Sequence, residues 1–389
     1  MRKEITYIVP AGTSMTLQQA LRGPMQLTCR QVRSAKFREN GILVNAERSR
    51  VSRVLRGGDE VRVLLEDLHD PSQVRSIREN TGSLPPLKEE EILYEDEDLL
   101  LINKQAGICV HPSHGHYADT LADQVCARYR GQGITEIPRI IGRLDKETSG
   151  LVLFARNKVA AQRLSEGCLL RKEYLAVVHG LLTCSPVLQP SRVLPPSQIP
   201  QSSPVLPPSA DAPVSFTITC PIARDPSSLN RMLADPEGIL GGRAAVTHLQ
   251  VLSYDAESDA SLLRLWLETG RTHQIRVHMA YAGHPLLGDT LYGPQPHTEG
   301  TLHDLQQHTE DTLHGPLQHT EDTLHDPLQL LPEDEKSAAR FFHRAALHCF
   351  HMELIQPFTG KKLRIRAPLP GDLAEYLYLQ HNALQYLMQ

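Results

Sequence analysis

From about residue 91 onward, strand-type segments follow one another with few helical patterns between them. "ILYEDEDLLLINKQAGICVHPS" reads as two strands with turns, and "GLVLFA", "KEYLAVVHG", "VSFTITC", "AVTHLQVLSY" and "SLLRLWLE" continue the series. "HRAALHCFHMELIQP" and "KKLRIRAP" add two more. Helical spacing shows in "KVAAQRLSEGCLL" and in a C-terminal segment from about Gly371. Consecutive strands with few intervening helices predict an α+β domain on a mixed, largely antiparallel sheet.

The first 66 residues follow another pattern. "TLQQALRG" and "TCRQVRSAKFREN" have helical spacing, with Leu17, Ala20 and Leu21, then Val32 and Phe37, as the apolar positions. "GILVN" follows as a short strand, and "GGDEVRVLLED" is a turn leading into alternating Val61, Val63 and Leu65. This small α/β unit carries 12 Lys/Arg against 6 Asp/Glu. Over about residues 14–66 it resembles the S-four-type RNA-binding module. The resemblance implies a phosphate-facing surface of Arg30, Arg33, Lys36 and Arg38, which would position an RNA without reading its sequence. The plainer alternative is a solvated basic helix face. Residues 67–90, polar with Pro and Gly, read as a linker to a domain over 91–389.

The net charge of −5 argues against a nucleic-acid binder only until its distribution is considered. Residues 294–330 hold seven acids and no Lys or Arg, so the rest of the chain is net positive, −5 + 7 = +2. This stretch belongs to one of two low-complexity insertions, at 184–213 and 294–336. The first is Ser/Pro-rich and reads as a flexible excursion. The second repeats "HTEDTLHDPLQ"-type units every eleven residues, where Pro316 and Pro327 oppose a continuous helix. The six histidines and seven acids of residues 294–330 offer metal-ligand chemistry, but a disordered surface insertion is the reading adopted. Seven scattered cysteines without a C-x-x-C pair indicate reduced thiols and neither a disulfide framework nor a zinc site. No apolar stretch reaches membrane-spanning length, and "MRKEITYIVPAG" lacks a signal-peptide core. A cytoplasmic location is expected.

Four segments belong together. "GRLDKETSGLVLFARN" places Asp145 on a turn before a buried strand, and "RKEYLAVVHG" brings Tyr174 into another. "LETGRTHQIRVHMAYAGHPLLGDTLYG" passes from a strand end through a turn into a helix carrying His273, Arg276 and His278. "RAALHCFHMELIQP" is the fourth. Together they resemble the RluA-type pseudouridine synthases, from about residue 90 to the C-terminus apart from the insertions. "INKQAGICVHPS" matches a further family segment. Gly142 and Gln105 depart from the pattern, standing where the family usually carries His and Pro.

The resemblance implies isomerisation of uridine to pseudouridine in structured RNA, ribosomal RNA foremost, by an essential aspartate with neither cofactor nor metal. That aspartate is Asp145. Tyr174 would stack on the uracil, Arg276 would pair with the Asp145 carboxylate, and Arg143 would enter the RNA stack as the uridine leaves. His273 and His278 are expected to be structural, His111 to lie near the pocket, and the roles of Thr272 and Gln274 stay open. An ordinary Asp pKa of about 3.9 leaves such a carboxylate ionised at pH 7. A stacked uridine must be extruded to be reached, and an aromatic surface repays part of that cost. Taken singly, Asp145 reads as a turn residue and Tyr174 as a core aromatic; the co-occurrence of the segments favours the site. A rival reading is an RNA-binding or ribosome-assembly factor that keeps the fold without useful catalysis. A monomer with no obligate protein partner is expected.

Overall fold

The computed structural model describes residues 2–66, 87–112, 119–134, 137–166, 170–191, 214–293 and 341–379. Among them, eleven strands join in one sheet. Its main path runs Gln189–Pro190, Ser215–Thr219, Val246–Asp255, Ala260–Leu267, Leu170–His179, Leu347–Ile355, Ser149–Ala155, Leu99–Lys104 and Ile92–Glu95. Lys362–Arg366 and Arg139–Ile141 attach beside this path. Neighbours pair antiparallel except Ser149–Ala155 with Leu347–Ile355, which run parallel. The fold is thus α+β with a mixed, largely antiparallel sheet, as the succession of strand segments with few intervening helices predicted.

The parallel pair lies at the centre of the sheet and depends on a glycine. Gly150 has φ +106°, and a Cβ there would come within 2.2 Å of the Cys349 carbonyl oxygen. Only glycine allows this close approach. Every residue of Ser149–Ala155 is buried, which is why "SGLVLFA" shows no alternation. The main core packs this strand with Leu99–Ile102, Tyr174, Ala176, Leu263 and Leu265.

The N-terminal residues build a separate small core from Leu17, Leu21, Met25, Val44, Leu55, Val61 and Val63. Helices Leu17–Arg22 and Cys29–Lys36 each begin with a capping box, from Thr16 with Gln19 and from Thr28 with Gln31. The strand Glu60–Glu66 pairs with Ile42–Val44, and also with Arg2–Ile8, a strand absent from the sequence-based expectation. This unit touches the larger one at several points. Lys3 bridges Glu97 and Asp98, and Arg163 donates to the Met25 and Pro357 carbonyls. Both cations lie over the Phe358 ring, at 4.7 and 4.4 Å.

Other differences from expectation are local. The helix Leu121–Gly131, capped by Thr120 and Asp123, was not anticipated. The segment 184–191, assigned to the first insertion, returns Leu188 to the core and pairs Gln189–Pro190 with Ser215–Thr219. An apolar side chain and an open sheet edge outweigh the Ser/Pro composition there. The rest of that insertion, the 294–336 insertion with its repeat, and linker residues 67–86 lie outside the described residues. Cys168 does too; the six described cysteines are free thiols. Among the described residues no helix is long and apolar enough to cross a membrane.

Candidate active site

The turn before Ser149–Ala155 presents Asp145 half-exposed while Leu144 anchors in the core. The Thr148 amide closes it by donating to the Asp145 carbonyl at 3.2 Å. Two buried cations hold the turn from beneath. Lys104, 1% exposed, donates to the carbonyls of Gln105, Ile108 and Lys146 at 2.8, 2.9 and 3.0 Å. Arg344 donates to the Glu147 carbonyl at 3.1 Å and forks onto Asp372. Burial and the nearby Arg344 charge pull the Lys104 pKa down to about 7. Its three carbonyl acceptors match the three N–H donors of an ammonium.

Gly142 opens the turn at φ +69°, a conformation that strains any other residue. Lys172 donates to the Gly142 carbonyl at 3.1 Å, and a Cβ on Gly142 would stand 3.3 Å from the Lys172 ammonium. The backbone thus gives a physical reason for glycine where the resemblance led one to expect histidine.

Tyr174 reaches the same cavity from Leu170–His179. The pairing of that strand with Leu347–Ile355 shifts register between Glu173 and Tyr174, a bulge that re-aims the side chain. Tyr174 is 7% exposed, and its hydroxyl interacts with the Cys349 thiol. Burial first, then the charges of Cys349 and Asp145, push its pKa well above the ordinary tyrosine value. The side chain is therefore a neutral aromatic that lines the cavity.

The cavity encloses about 330 Å³ and is lined by Arg143, Asp145, Lys172, Tyr174, Glu268 and Arg271 among others. Arg143 is exposed and donates to the Thr272 hydroxyl. His111 lies close enough for the Arg143 charge to lower its pKa, after burial. Asp145, Tyr174 and Arg143 thus come together, as the segments suggested.

Arg276 does not pair as expected. Its guanidinium grips Asp289, Nε to Oδ2 and Nη2 to Oδ1, both at 2.6 Å. It also lies over the Tyr292 ring at 5.1 Å. Burial opposes its charge, but Asp289, with a smaller contribution from Asp145, raises its pKa above the usual arginine value. The reason is burial: the Asp289 carboxylate is fully enclosed and needs a cation more than half-exposed Asp145 does. Asp145 receives the electrostatic support of Arg276 without its hydrogen bonds.

His273 is not within the helix but caps it. The helix runs Gln274–Tyr281, and His273 precedes it at φ 55°, with Nδ1 bonded to the Tyr292 hydroxyl at 2.9 Å. Burial lowers its pKa while Asp145 opposes the shift. A left-handed non-glycine residue beside a cavity marks backbone held by its surroundings. His278 is buried between Thr247 and the Cys220 carbonyl, each at 2.9 Å. Gln274 stitches the turn together, accepting from the Arg271 amide and donating to the Val246 carbonyl.

On the N-terminal unit, Arg30, Arg33 and Lys36 are exposed along Cys29–Lys36. Arg38 is half-buried and donates to the Ser34 hydroxyl at 3.1 Å. Phe37, 78% exposed, extends the surface beside Lys36. The sequence reading missed Lys104, Lys172, His248 and Glu268. Their local sequence carries no signal, because a lysine in "INKQ" looks like any surface lysine until its burial is known. Among the described residues no cluster of His, Cys, Asp and Glu has metal-binding geometry.

The family model described as RNA pseudouridylate synthase matches residues 98–281, which hold the Asp145 turn, the Tyr174 strand and the Arg276 helix. The chain is 30% identical to the uncharacterized RNA pseudouridine synthase YjbO of Bacillus subtilis, over 91% of this chain and 96% of that protein. It is 30% identical to the ribosomal large subunit pseudouridine synthase D of Pasteurella multocida, over 86% of this chain and 80% of that one. For the protein of the same name from Haemophilus influenzae the identity is 31%, over 88% and 84%.

Proposed function

This chain belongs to the RNA pseudouridine synthase family, and from that premise we propose that it isomerises particular uridines of ribosomal RNA with Asp145 as the essential carboxylate. The enzyme class follows from family membership. The ribosomal target is supported by the names of the Pasteurella and Haemophilus relatives and by the basic face of Arg30, Arg33 and Lys36. The observation that carries the site assignment is that Asp145 and Tyr174, from separate elements, line one cavity.

The chemistry asked of these residues is an isomerisation. The bond from ribose C1′ to uracil N1 breaks, the base turns, C1′ bonds to C5, and a proton leaves C5 as one is gained at N1. Extruding the uridine costs a few kcal/mol. Stacking on Tyr174 returns roughly 1–3 kcal/mol. Arg143, exposed at the mouth, takes the place vacated in the RNA stack. Asp145 supplies the carboxylate, whether toward C1′, the base or a ribose proton. Arg276 stabilises it through space while holding Asp289.

Pseudouridine mapped across total RNA, from cells carrying wild type or Asp145→Ala, tests the assignment. Loss at defined ribosomal uridines is expected. Identical maps would overturn the role of Asp145, and losses confined to transfer RNA would overturn the ribosomal target.

A further inference from the structure

Three strands converge on one carboxylate at the cavity rim. Glu268 directly follows the strand Ala260–Leu267, lines the cavity and is 60% exposed at its side chain. Its Oε1 accepts from His248 Nε2 at 2.7 Å. His248, on Val246–Asp255, is buried, and its Nδ1 meets the Thr217 hydroxyl on Ser215–Thr219 at 2.8 Å. The imidazole also stacks on Trp266, with ring centroids 5.6 Å apart. Both ring nitrogens are therefore committed and the ring cannot turn. One oxygen of Glu268 is fixed in place, and the other remains to accept from whatever enters the cavity.

A carboxylate here is costly for an RNA enzyme unless it is used. Arg143, Lys172 and Arg271 line the same cavity and suit phosphate oxygens, which Glu268 repels. A carboxylate is an acceptor only, so its complements on RNA are the ribose 2′-hydroxyl, which every nucleotide carries, and the nucleobase N–H groups, of which uracil offers only its ring N3–H. Amino groups are presented by adenine, cytosine and guanine but not by uracil. The extruded uridine occupies the interior with Asp145 and Tyr174, whereas Glu268 stands at the exposed rim.

We propose that Glu268, held by His248 and Thr217, is a specificity-determining residue that accepts a hydrogen bond from the amino group of the nucleotide adjacent to the target uridine. This inference rests on the active-site reading above and deepens it. The bond from an amino group to a carboxylate is charge-assisted, and a neighbouring uridine, lacking that group, forgoes it, so discrimination follows from the absent amino group.

The test begins with a uridine whose modification is lost in cells carrying Asp145→Ala. Transcripts spanning it are made with each of the four bases at the 5′ and 3′ neighbouring positions, and kcat and KM are measured for wild type, Glu268→Gln and Glu268→Ala. Wild type should disfavour uridine at one of these positions by about tenfold in kcat/KM. Both variants should bring the amino-bearing substrates down to the uridine level, through KM. An unchanged preference in Glu268→Ala, or no preference in wild type, overturns the proposal. If Asp145→Ala loses no uridine, the active-site reading falls and this inference with it. A loss of kcat alone at every sequence would make Glu268 a general contributor and not a reader of sequence. His248→Gln, which can still donate to Glu268, should retain more of the preference than His248→Ala.

Discussion

The Arg276 guanidinium forks onto Asp289 at 2.6 Å through two nitrogens, so Asp145 has the charge of that arginine nearby without its hydrogen bonds. Asp289 in turn accepts from the Leu291 and Tyr292 amides, tying the helix Gln274–Tyr281 to the segment that follows it. Removing one partner of such a buried pair strands the other charge, at a cost of roughly 3–5 kcal/mol. Asp289→Ala is expected to lose about that much in urea unfolding. Its kcat should fall as well, because a freed Arg276 can swing toward Asp145. Unfolding and kcat equal to wild type would make the pair dispensable.

Lys104 holds three carbonyls in a dry site, and one of them, which also accepts from the Gly107 amide, belongs to the residue after Asp145. Lys104→Met keeps much of the volume and removes the donors. Stranding buried acceptors costs about 1–3 kcal/mol each, partly relieved by relaxation. A stability loss of about 3 kcal/mol is expected, with kcat reduced more than KM is raised. A change in KM alone would separate Lys104 from the presentation of Asp145.

His348 sits buried with Nδ1 2.9 Å from the Ser149 hydroxyl, in the centre of the sheet. Burial first, then the charge of Arg344, lower its pKa to about 4 from 6.5. Between those values the unfolded chain binds a proton that the folded chain refuses. The stability this group contributes is complete above pH 6.5 and is lost as pH falls toward 4, by roughly 3 kcal/mol in all. Urea unfolding across that window should show a steep decline in wild type and a shallower one in His348→Gln. Equal slopes would assign the acid sensitivity to other groups.

Arg30, Arg33 and Lys36 point outward from one helix of the N-terminal unit. If they contact phosphates, the affinity of the full chain for its RNA falls steeply with salt. Each substitution to alanine should reduce the slope of log affinity against log salt by about 1. Unchanged slopes for all three would remove the docking role from this face.

The sequence by itself determined the strands and the reacting segments. Alternation in "AVTHLQVLSY" and the apolar run in "GLVLFA" follow from local burial of one or both faces, which the chain carries in its own order. "GRLDKETSGL" and "TGRTHQIRVH" marked Asp145 and its surroundings through their resemblance to a known family, a likeness carried by contiguous residues. The strand Arg2–Ile8 was overlooked because its partner, Glu60–Glu66, lies some sixty residues away. Only the tertiary structure decided that Leu347–Ile355 would run parallel to Ser149–Ala155, and that Lys104 would be buried beneath the Asp145 turn. It likewise gave Arg276 to Asp289 and Glu268 to His248. Which charge meets which depends on the desolvation each suffers once the sheet closes, and desolvation is a property of the packed molecule that no spacing along the chain records.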